Sequence, residues 1–259
     1  MLLLLAAIGL PHEGRPQEEP FSKPSTAWFQ YYRGKHPVGV LRVEVTSGAG
    51  TTTVRDLWSI FDENEEIQIQ SETEYSGEAL HPVRSSVTVT RGAEPLLVGA
   101  LRFDDDRVVE SYRSGDSADT GAAIERTHRW DGRPFATLST LAVLAPRWVD
   151  RDLWFPAYPR GLRGPVIDDA VTRYRLVRDG DALRVEGKSA TALRSVRIRV
   201  AEDRVEELDL GSGLRFVRAP RHVCRSWLRT RTPEDDASPV GREEPSTDDD
   251  EPTGDRPGG

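Results

Sequence analysis

Cysteine is the scarcest chemically useful residue in this chain of 259 residues. The one cysteine, Cys224, excludes an intramolecular disulfide and a zinc site built from cysteines. We interpret Cys224 as a small buried residue, which is how free cysteines usually occur. A nucleophilic role would need a histidine and a third, orienting group beside it, and the sequence alone does not place them.

Long apolar runs are also missing. The run Leu2–Leu10 is too short to cross a membrane, because a spanning helix needs roughly 20 residues. It fits the apolar part of a signal peptide, although no basic residue precedes it and no clean A-x-A site follows. We therefore expect residues 1–10 to be a truncated signal peptide and the protein to be periplasmic or secreted, with the cytoplasm as the alternative. Residues 11–26 carry four prolines and no periodic pattern, and we predict a linker there.

An excess of charge of one sign occurs only in the last part of the sequence. Residues 232–259 contain ten acidic residues and two arginines, a net charge of −8, which equals the net charge of the whole chain. Residues 1–231 are therefore neutral, with 33 basic and 33 acidic residues, and offer nucleic acid no general attraction. Because the acidic part holds five prolines and almost no large apolar residue, we predict a disordered tail over residues 229–259.

The rest of the sequence alternates between apolar and polar residues with the period of a β-strand. Ile67 and Ile69 alternate with glutamines, for example, and Asp179-Gly180 separates two such runs as in a hairpin. Residues 195–219 predict a three-strand meander, in which Arg197 and Arg199 face solvent opposite Glu206 or Asp209. About twelve strands joined by short turns indicate one antiparallel all-β domain over residues 27–228.

The stretch YYRGKHPVGVLRVEV, residues 31–45, is the first predicted hairpin. Val38 and Val40 share one face, but the apolar pattern changes face at Leu41. This change indicates either a β-bulge or a strand buried on both faces. Gly39 stands beside the change, where a bend or a close approach of two backbones is expected.

Residues 133–165 interrupt the strand pattern. Residues 136–145 predict a short helix that ends before Pro146, and the loop after it is rich in aromatic residues and proline. Its large rings are Trp148, Trp154, Phe155 and Tyr158. Two interpretations stay open: the rings fill the face of the sheet as a plug, or they form a surface for a ligand or partner. We prefer the plug, with Trp154 mostly buried, because apolar side chains of this size are rarely left exposed together.

Three stretches resemble a loose group of bacterial exported β-sheet domains, including those that precede transglutaminase-like domains. They are YYRGKHPVGVLRVEV at 31–45, SETEYSGEALHPVRSSVTV at 71–89, and RPFATLSTLAVLAPR at 133–147. At the level of the fold, the pattern over residues 28–220 also resembles the half-barrel of LolA-like lipoprotein carriers. The resemblance implies a large, strongly curved antiparallel sheet, a half-barrel or open barrel, with an apolar concave face. It supplies no catalytic residue.

Motifs of catalysis and cofactor binding are missing from the sequence. It has no G-x-S-x-G, no H-E-x-x-H, no phosphate-binding loop and no dinucleotide fingerprint, and its five histidines do not have the spacing of metal ligands. We predict no cofactor, no metal and no catalytic residue. The leading hypothesis is a non-catalytic exported module that binds a protein partner or an apolar ligand. The alternatives are a hydrolase with a site assembled across strands, and a purely structural cell-envelope protein.

Overall fold

A computed structural model describes residues 24–62, 65–114, 122–155, 172–187 and 196–231. These residues form fourteen strands, two short α-helices and one 3-10 turn. The strands are β1 Ser25–Arg33, β2 His36–Gly48, β3 Thr51–Asp62, β4 Glu65–Ser76, β5 His81–Arg91, β6 Glu94–Phe103, β7 Arg107–Ser114, β8 Ile124–Arg129, β9 Asp152–Phe155, β10 Thr172–Asp179, β11 Ala182–Gly187, β12 Arg197–Ala201, β13 Arg204–Gly211 and β14 Leu214–Arg218. The helices are α1 Leu138–Leu144 and α2 Arg221–Arg229, and the 3-10 turn is Ala145–Trp148.

All fourteen strands belong to one antiparallel sheet. Its order is β8-β7-β6-β5-β4-β3-β2-β1-β14-β13-β12-β11-β10-β9. Strands that follow each other in the chain are neighbours in the sheet, except for β8 and β9, which lie at opposite edges. The first and last strands, β1 and β14, pair with each other in the middle of the sheet. The sheet is open, because no ladder joins β8 to β9 among the described residues. The predicted all-β fold with a curved antiparallel sheet is confirmed, with fourteen strands where about twelve were expected.

The described elements run from Ser25 to Arg229. The predicted signal peptide, residues 11–23 of the predicted linker, and residues 232–259 lie outside the described residues. Neither described helix is long and apolar enough to cross a membrane.

Local turn signals predicted the hairpins correctly. Asp179 pairs with Ala182 across a turn in which Gly180 has a φ of 65°, so the Asp-Gly pair joins β10 to β11. In the C-terminal meander, Arg197 lies opposite Asp209 as expected. Arg199 instead lies opposite Glu207, to which its Nη2 donates at 3.1 Å.

The change of face at Val40 and Leu41 marks a strand that is buried on both sides. Val40 and Leu41 are 2% and 1% exposed although they point to opposite faces of β2. The irregular pairing lies slightly earlier, between β1 and β2, where Val38 has no partner. Gly39 follows it, and a Cβ atom there would lie 2.5 Å from the carbonyl oxygen of Ser59. The backbones of β2 and β3 therefore approach too closely for any side chain at residue 39.

The concave face of the sheet holds two adjoining apolar clusters. The larger cluster joins β1–β4 and β10–β14 to α1, the 3-10 turn and Leu153 of β9. The smaller cluster joins β4–β7 to Trp130, Phe135 and Trp154. Trp58 and Ile60 of β3 pack against both clusters, so the inner face forms one continuous packed layer.

Candidate functional site

The segment 135–154 fills the concave face of the sheet, and we call it the plug. Its α1 begins at a cap in which Thr137 Oγ1 accepts from the amide of Thr140 at 3.1 Å, and Thr140 Oγ1 accepts from the amide of Thr137 at 2.7 Å. This reciprocal cap satisfies two amides that a helix start would leave unpaired. The hydroxyl of Tyr75 donates to the carbonyl of Phe135 at 2.9 Å and ties the start of the plug to β4. The plug is therefore built into the sheet.

Two of the four aromatic residues proposed as a ligand or partner surface are buried in the plug. Trp148 is 0% exposed and Trp154 is 1% exposed, which confirms the prediction that Trp154 is mostly buried. A binding surface would need these indoles to be exposed, and they are not. Phe155 ends β9, and its side chain lies outside the described residues, as does the whole of Tyr158.

Two indole N–H groups in this core have no hydrogen-bond partner among the described residues. They belong to Trp58 of β3 and Trp148 of the plug. A buried donor that is left unpaired costs roughly 1–3 kcal/mol. Apolar packing offsets this cost at Trp148, whose ring meets the ring of Tyr75 at a centroid distance of 6.0 Å.

A carboxylate under α1 joins the plug to the sheet. Asp56 of β3 accepts from the hydroxyl of Ser71 on β4 and, at 2.6 Å, from the hydroxyl of Ser139 on α1. Burial raises the pKa of Asp56 from 3.8 to about 6, and the two serine hydroxyls, which favour the ionised form, offset part of that rise. Asp56 therefore anchors the plug and lies beneath it, which is not a position from which it could act on a substrate.

A second acidic group is buried nearer the β8 edge. Glu110 of β7 is 0% exposed, and its Oε2 lies 3.0 Å from Nε2 of His128 on β8. The guanidinium of Arg126 lies 5.6 Å above the ring of Tyr112 on the same side of the sheet. These residues make a polar end to the smaller apolar cluster.

An open groove lies at the rim of the sheet, where residues 150–152 of the plug are exposed, and we call it the rim groove. Its volume is about 410 Å³. Four segments that are far apart in sequence line it: the β4–β5 turn, the loop before the plug, the loop before β9, and β10. The lining residues are Ala79, His81, Asp131, Gly132, Arg133, Pro134, Asp150, Arg151, Asp152 and Arg175.

The charged groups of the rim groove are only partly paired. Arg133 Nε donates to Asp131 at 2.5 Å, whereas its buried Nη1 has no partner among the described residues. Arg151 Nη1 donates to the carbonyl of Ala79 at 3.1 Å, and Arg175 Nη2 donates to the carbonyl of Asp150 at 3.3 Å. The hydrogen-bond acceptors of the Arg151 and Arg175 guanidinium groups are thus neutral carbonyls. The positive charges of these two groups can therefore still pair with an anionic group of a ligand or partner.

Asp150 contributes an unusual backbone to the rim groove. Its φ of 63° lies in the left-handed region, which costs a residue other than glycine roughly 1–3 kcal/mol. Its amide donates to the carbonyl of Leu176 at 2.7 Å, and its carbonyl accepts from Arg175. Strained backbone that neighbouring hydrogen bonds hold in place is frequent at functional sites.

The outer face of the sheet has a depression of similar volume, about 420 Å³, but its charges are matched internally. Arg42 pairs with Glu44, and Arg55 donates to Glu72 at 2.7 Å. Ion pairs that already satisfy each other leave little charge for a ligand. We therefore take the rim groove as the candidate functional site.

The hydrolase alternative required either paired carboxylates in a cleft or a cysteine beside a histidine. Burial raises the pKa of the Cys224 thiol to about 11, so the group stays neutral and is a poor nucleophile at physiological pH. No group of three or more His, Cys, Asp or Glu side chains among the described residues could hold a metal ion. The raised pKa of its thiol gives no support to the form of the hydrolase alternative that uses Cys224.

The sequence pattern missed both the rim groove and Asp56. A signal for Asp56 was present, since it takes the inward position between Val54 and Trp58 of β3. No signal predicted the groove, because its four segments meet only after the sheet has curved. Comparison of the chain with models of known protein families, with curated proteins and with solved structures found no match.

Proposed function

We propose that this chain is a non-catalytic β-sheet module that binds a protein partner through the rim groove. The observation that carries the proposal is the contrast between its two concave regions. The concave face of the sheet is filled by the plug, whereas the rim groove is open and holds two arginines, Arg151 and Arg175, that have no ion pair among the described residues. A recess with unpaired charge is suited to a polar partner.

The charges of the groove indicate the kind of partner surface that fits. The carboxylates of Asp150 and Asp152 alternate along the chain with the guanidinium of Arg151, and Arg175 lies opposite Asp152 in the β9–β10 pair. A polypeptide segment with a carboxylate for each arginine and a basic group between them would match this arrangement. Complementary charges of this kind contribute to specificity and to the rate of association more than to affinity.

Of the two binding partners that the sequence suggested, an apolar ligand is less well supported than a protein. The indoles of Trp148 and Trp154 occupy the place where such a ligand would lie against the sheet. The resemblance to lipoprotein carriers stays a prediction about the fold, and the filled face gives it no functional support. If photo-crosslinking from the rim groove yields no partner, a purely structural role in the cell envelope becomes the preferred hypothesis.

Export forms a separate part of the proposal. It rests on the apolar run Leu2–Leu10 and the proline-containing stretch that follows it. N-terminal sequencing of the protein purified from its native cells tests it. A mature chain that starts after residue 10 supports export, and a chain that keeps Leu2–Leu10 speaks against it.

The proposed partner site can be tested by photo-crosslinking in the native cells. A benzoylphenylalanine replaces the exposed His81 in the rim groove, and in a second variant it replaces Thr88, which lines the outer depression. We expect a discrete crosslinked partner from position 81 and none from position 88. Lack of any discrete product from position 81, or the same product from both positions, contradicts the proposal.

A charge-matched pair of variants makes the test specific to the groove. Replacing Arg151 and Arg175 by glutamine should abolish the crosslink from position 81. The control replaces Arg102 and Arg197, whose side chains are 68% and 67% exposed and lie outside the groove, and it should leave the crosslink intact. If both double variants weaken the product equally, the partner responds to overall charge and the groove is not its site.

A further inference from the structure

A stripe of arginines runs along the exposed side of α2. Arg221, Arg225 and Arg229 are spaced four residues apart, so they lie on one side of the helix, and all three are exposed. Their side chains make no ion pair, hydrogen bond or ring contact with the described part of the chain, whereas the guanidinium of Arg231 lies 5.6 Å from the ring centroid of Trp227. We call these three residues the arginine stripe.

The body of the protein holds α2 with this side outward. The ring of Trp227 meets Phe61, on the outer face of β3, at a centroid distance of 5.4 Å. Cys224 is completely buried, and the amide of Ala219, just before the helix, donates to the carbonyl of Trp28 at 2.9 Å. The arginine stripe is therefore a fixed surface of the folded domain.

The arginine stripe is unfavourable for α2 itself. Like charges four residues apart on a helix destabilise it. Arg221 also stands at the first position of the helix, where the positive end of the helix dipole disfavours a cation, and the first turn contains no acidic residue. An anionic group placed over the stripe would relieve both effects.

The sequence next to α2 supplies such a group. Residues 210–233 contain six arginines and no acidic residue, and residues 234–259 contain ten acidic residues and two arginines. Two blocks of opposite charge thus adjoin each other in a chain whose first 231 residues are neutral as a whole. Because the acidic block starts within a few residues of the helix, its effective concentration at the stripe is on the order of millimolar, which favours it over a separate anionic partner.

We infer that the acidic segment 234–259 binds the arginine stripe of α2 in the same molecule. The contact is electrostatic and exposed, so it covers the stripe and keeps other polyanions from it without adding much to folding stability. It lies on a different element from the rim groove and is independent of the proposed partner site.

Paramagnetic broadening in the full chain tests the inference. A nitroxide is attached to a cysteine introduced by Ser246→Cys, while the native Cys224 is completely buried and stays unlabelled. The stripe amides should broaden at about 0.01 M salt and recover at about 1 M, because the Debye length falls from roughly 30 Å to roughly 3 Å. Amides of α2 that stay sharp at low salt, or broadening that survives high salt, would overturn the inference.

Two triple variants separate the stripe from overall charge. Replacing Arg221, Arg225 and Arg229 by glutamine should abolish the broadening of α2 amides. The control makes the same change of charge at Arg102, Arg184 and Arg197, which lie on strands away from α2, and should leave the broadening in place. Equal loss in both triple variants would show that the acidic segment senses net charge and does not bind the stripe.

A vesicle experiment distinguishes the acidic segment from an anionic membrane as the partner of the stripe. The full chain is compared with a variant in which the ten acidic residues of 234–259 are replaced by their amides. If the acidic segment covers the stripe, the neutralised variant should bind phosphatidylglycerol vesicles at least about tenfold more tightly than the full chain does. Equal binding of the two proteins would overturn the inference.

Discussion

The ring of Phe103 lies 6.0 Å from the ring of Trp154, at an angle of 86°, although the two residues stand near opposite edges of the sheet. Phe103 ends β6, the third strand from one edge, and Trp154 lies in β9, the strand at the other edge. Phe135 packs between them, 5.1 Å from Phe103 and 5.7 Å from Trp154. The open sheet therefore closes on itself through side chains of the plug.

This contact makes Trp154 a central stability residue. Trp154→Ala removes a buried ring that packs against both Phe103 and Phe135, and we expect it to lower the free energy of unfolding by about 3–5 kcal/mol. Urea denaturation measures the change. Trp28→Ala is the control, since Trp28 is only partly buried on the outer face of β1 and should cost less. A Trp154→Ala protein that unfolds like the wild type would show that the plug does not hold the sheet.

The close approach at Gly39 predicts a position that tolerates no side chain. Gly39→Ala would place a Cβ atom 2.5 Å from the carbonyl oxygen of Ser59, so β2 and β3 must shift apart. We expect a loss of about 1–3 kcal/mol of unfolding free energy, as overpacking usually costs. Gly48→Ala, on the same strand, is the matched control, because a Cβ atom there meets nothing within 4 Å. Equal stability of the two variants would contradict the close approach.

The buried carboxylate of Asp56 predicts a pH dependence of stability. Its pKa in the folded protein, about 6, lies above the ordinary value of 3.8, so the folded state holds the proton more tightly than the unfolded state does. The stabilisation is complete below about pH 4 and is lost as the pH rises to about 6. The loss is less than about 3 kcal/mol, because the side chain keeps some contact with solvent.

Asp56→Asn isolates this effect. The amide keeps an acceptor for the serine hydroxyls but does not ionise, so at pH 7 the variant should be more stable than the wild type. Unfolding free energies measured from pH 4 to pH 7 should fall in the wild type and stay flatter in the variant. Asp105→Asn, at an exposed turn, is the control and should follow the wild type. Parallel profiles for wild type and Asp56→Asn would contradict the buried carboxylate.

The acidic segment should contribute little to stability even if it covers the arginine stripe. A chain that ends at Arg231 should melt within about 5 °C of the full chain, because exposed ion pairs contribute roughly 0–1 kcal/mol. Thermal melting followed by circular dichroism measures the difference. A larger fall would show that residues 232–259 pack on the body through apolar contacts.

Local signals in the sequence were enough to predict the strands and hairpins. They did not predict the contacts between residues that are far apart in sequence. The Asp179-Gly180 turn and the alternation of Ile67 and Ile69 depend on neighbouring residues, so the pattern predicted the hairpins correctly. The helix α2 was missed because it is only nine residues long and begins without a capping side chain, although Cys224 and Trp227 have helical spacing. The strand order and the rim groove depend on how far the sheet curves, which no short window of sequence records.

The aromatic residues show the same limit. The large apolar surfaces of Trp148 and Trp154 predicted that both rings would be buried, because removing apolar surface from water lowers the free energy. The pattern did not predict what covers them, since their partners Tyr75 and Phe103 lie on strands far away in sequence. Whether a loop packs on the face of a sheet or extends away from it depends on contacts with strands from the whole sheet.

The plug fills the concave face and leaves no room there for an apolar ligand. Titration of the full chain with cis-parinaric acid, a fatty acid that fluoresces when it is bound in an apolar site, tests this most directly. We predict no saturable rise in fluorescence. Saturable binding of one molecule per chain, displaced by oleate, would show that the concave face accepts an apolar ligand and would contradict the account.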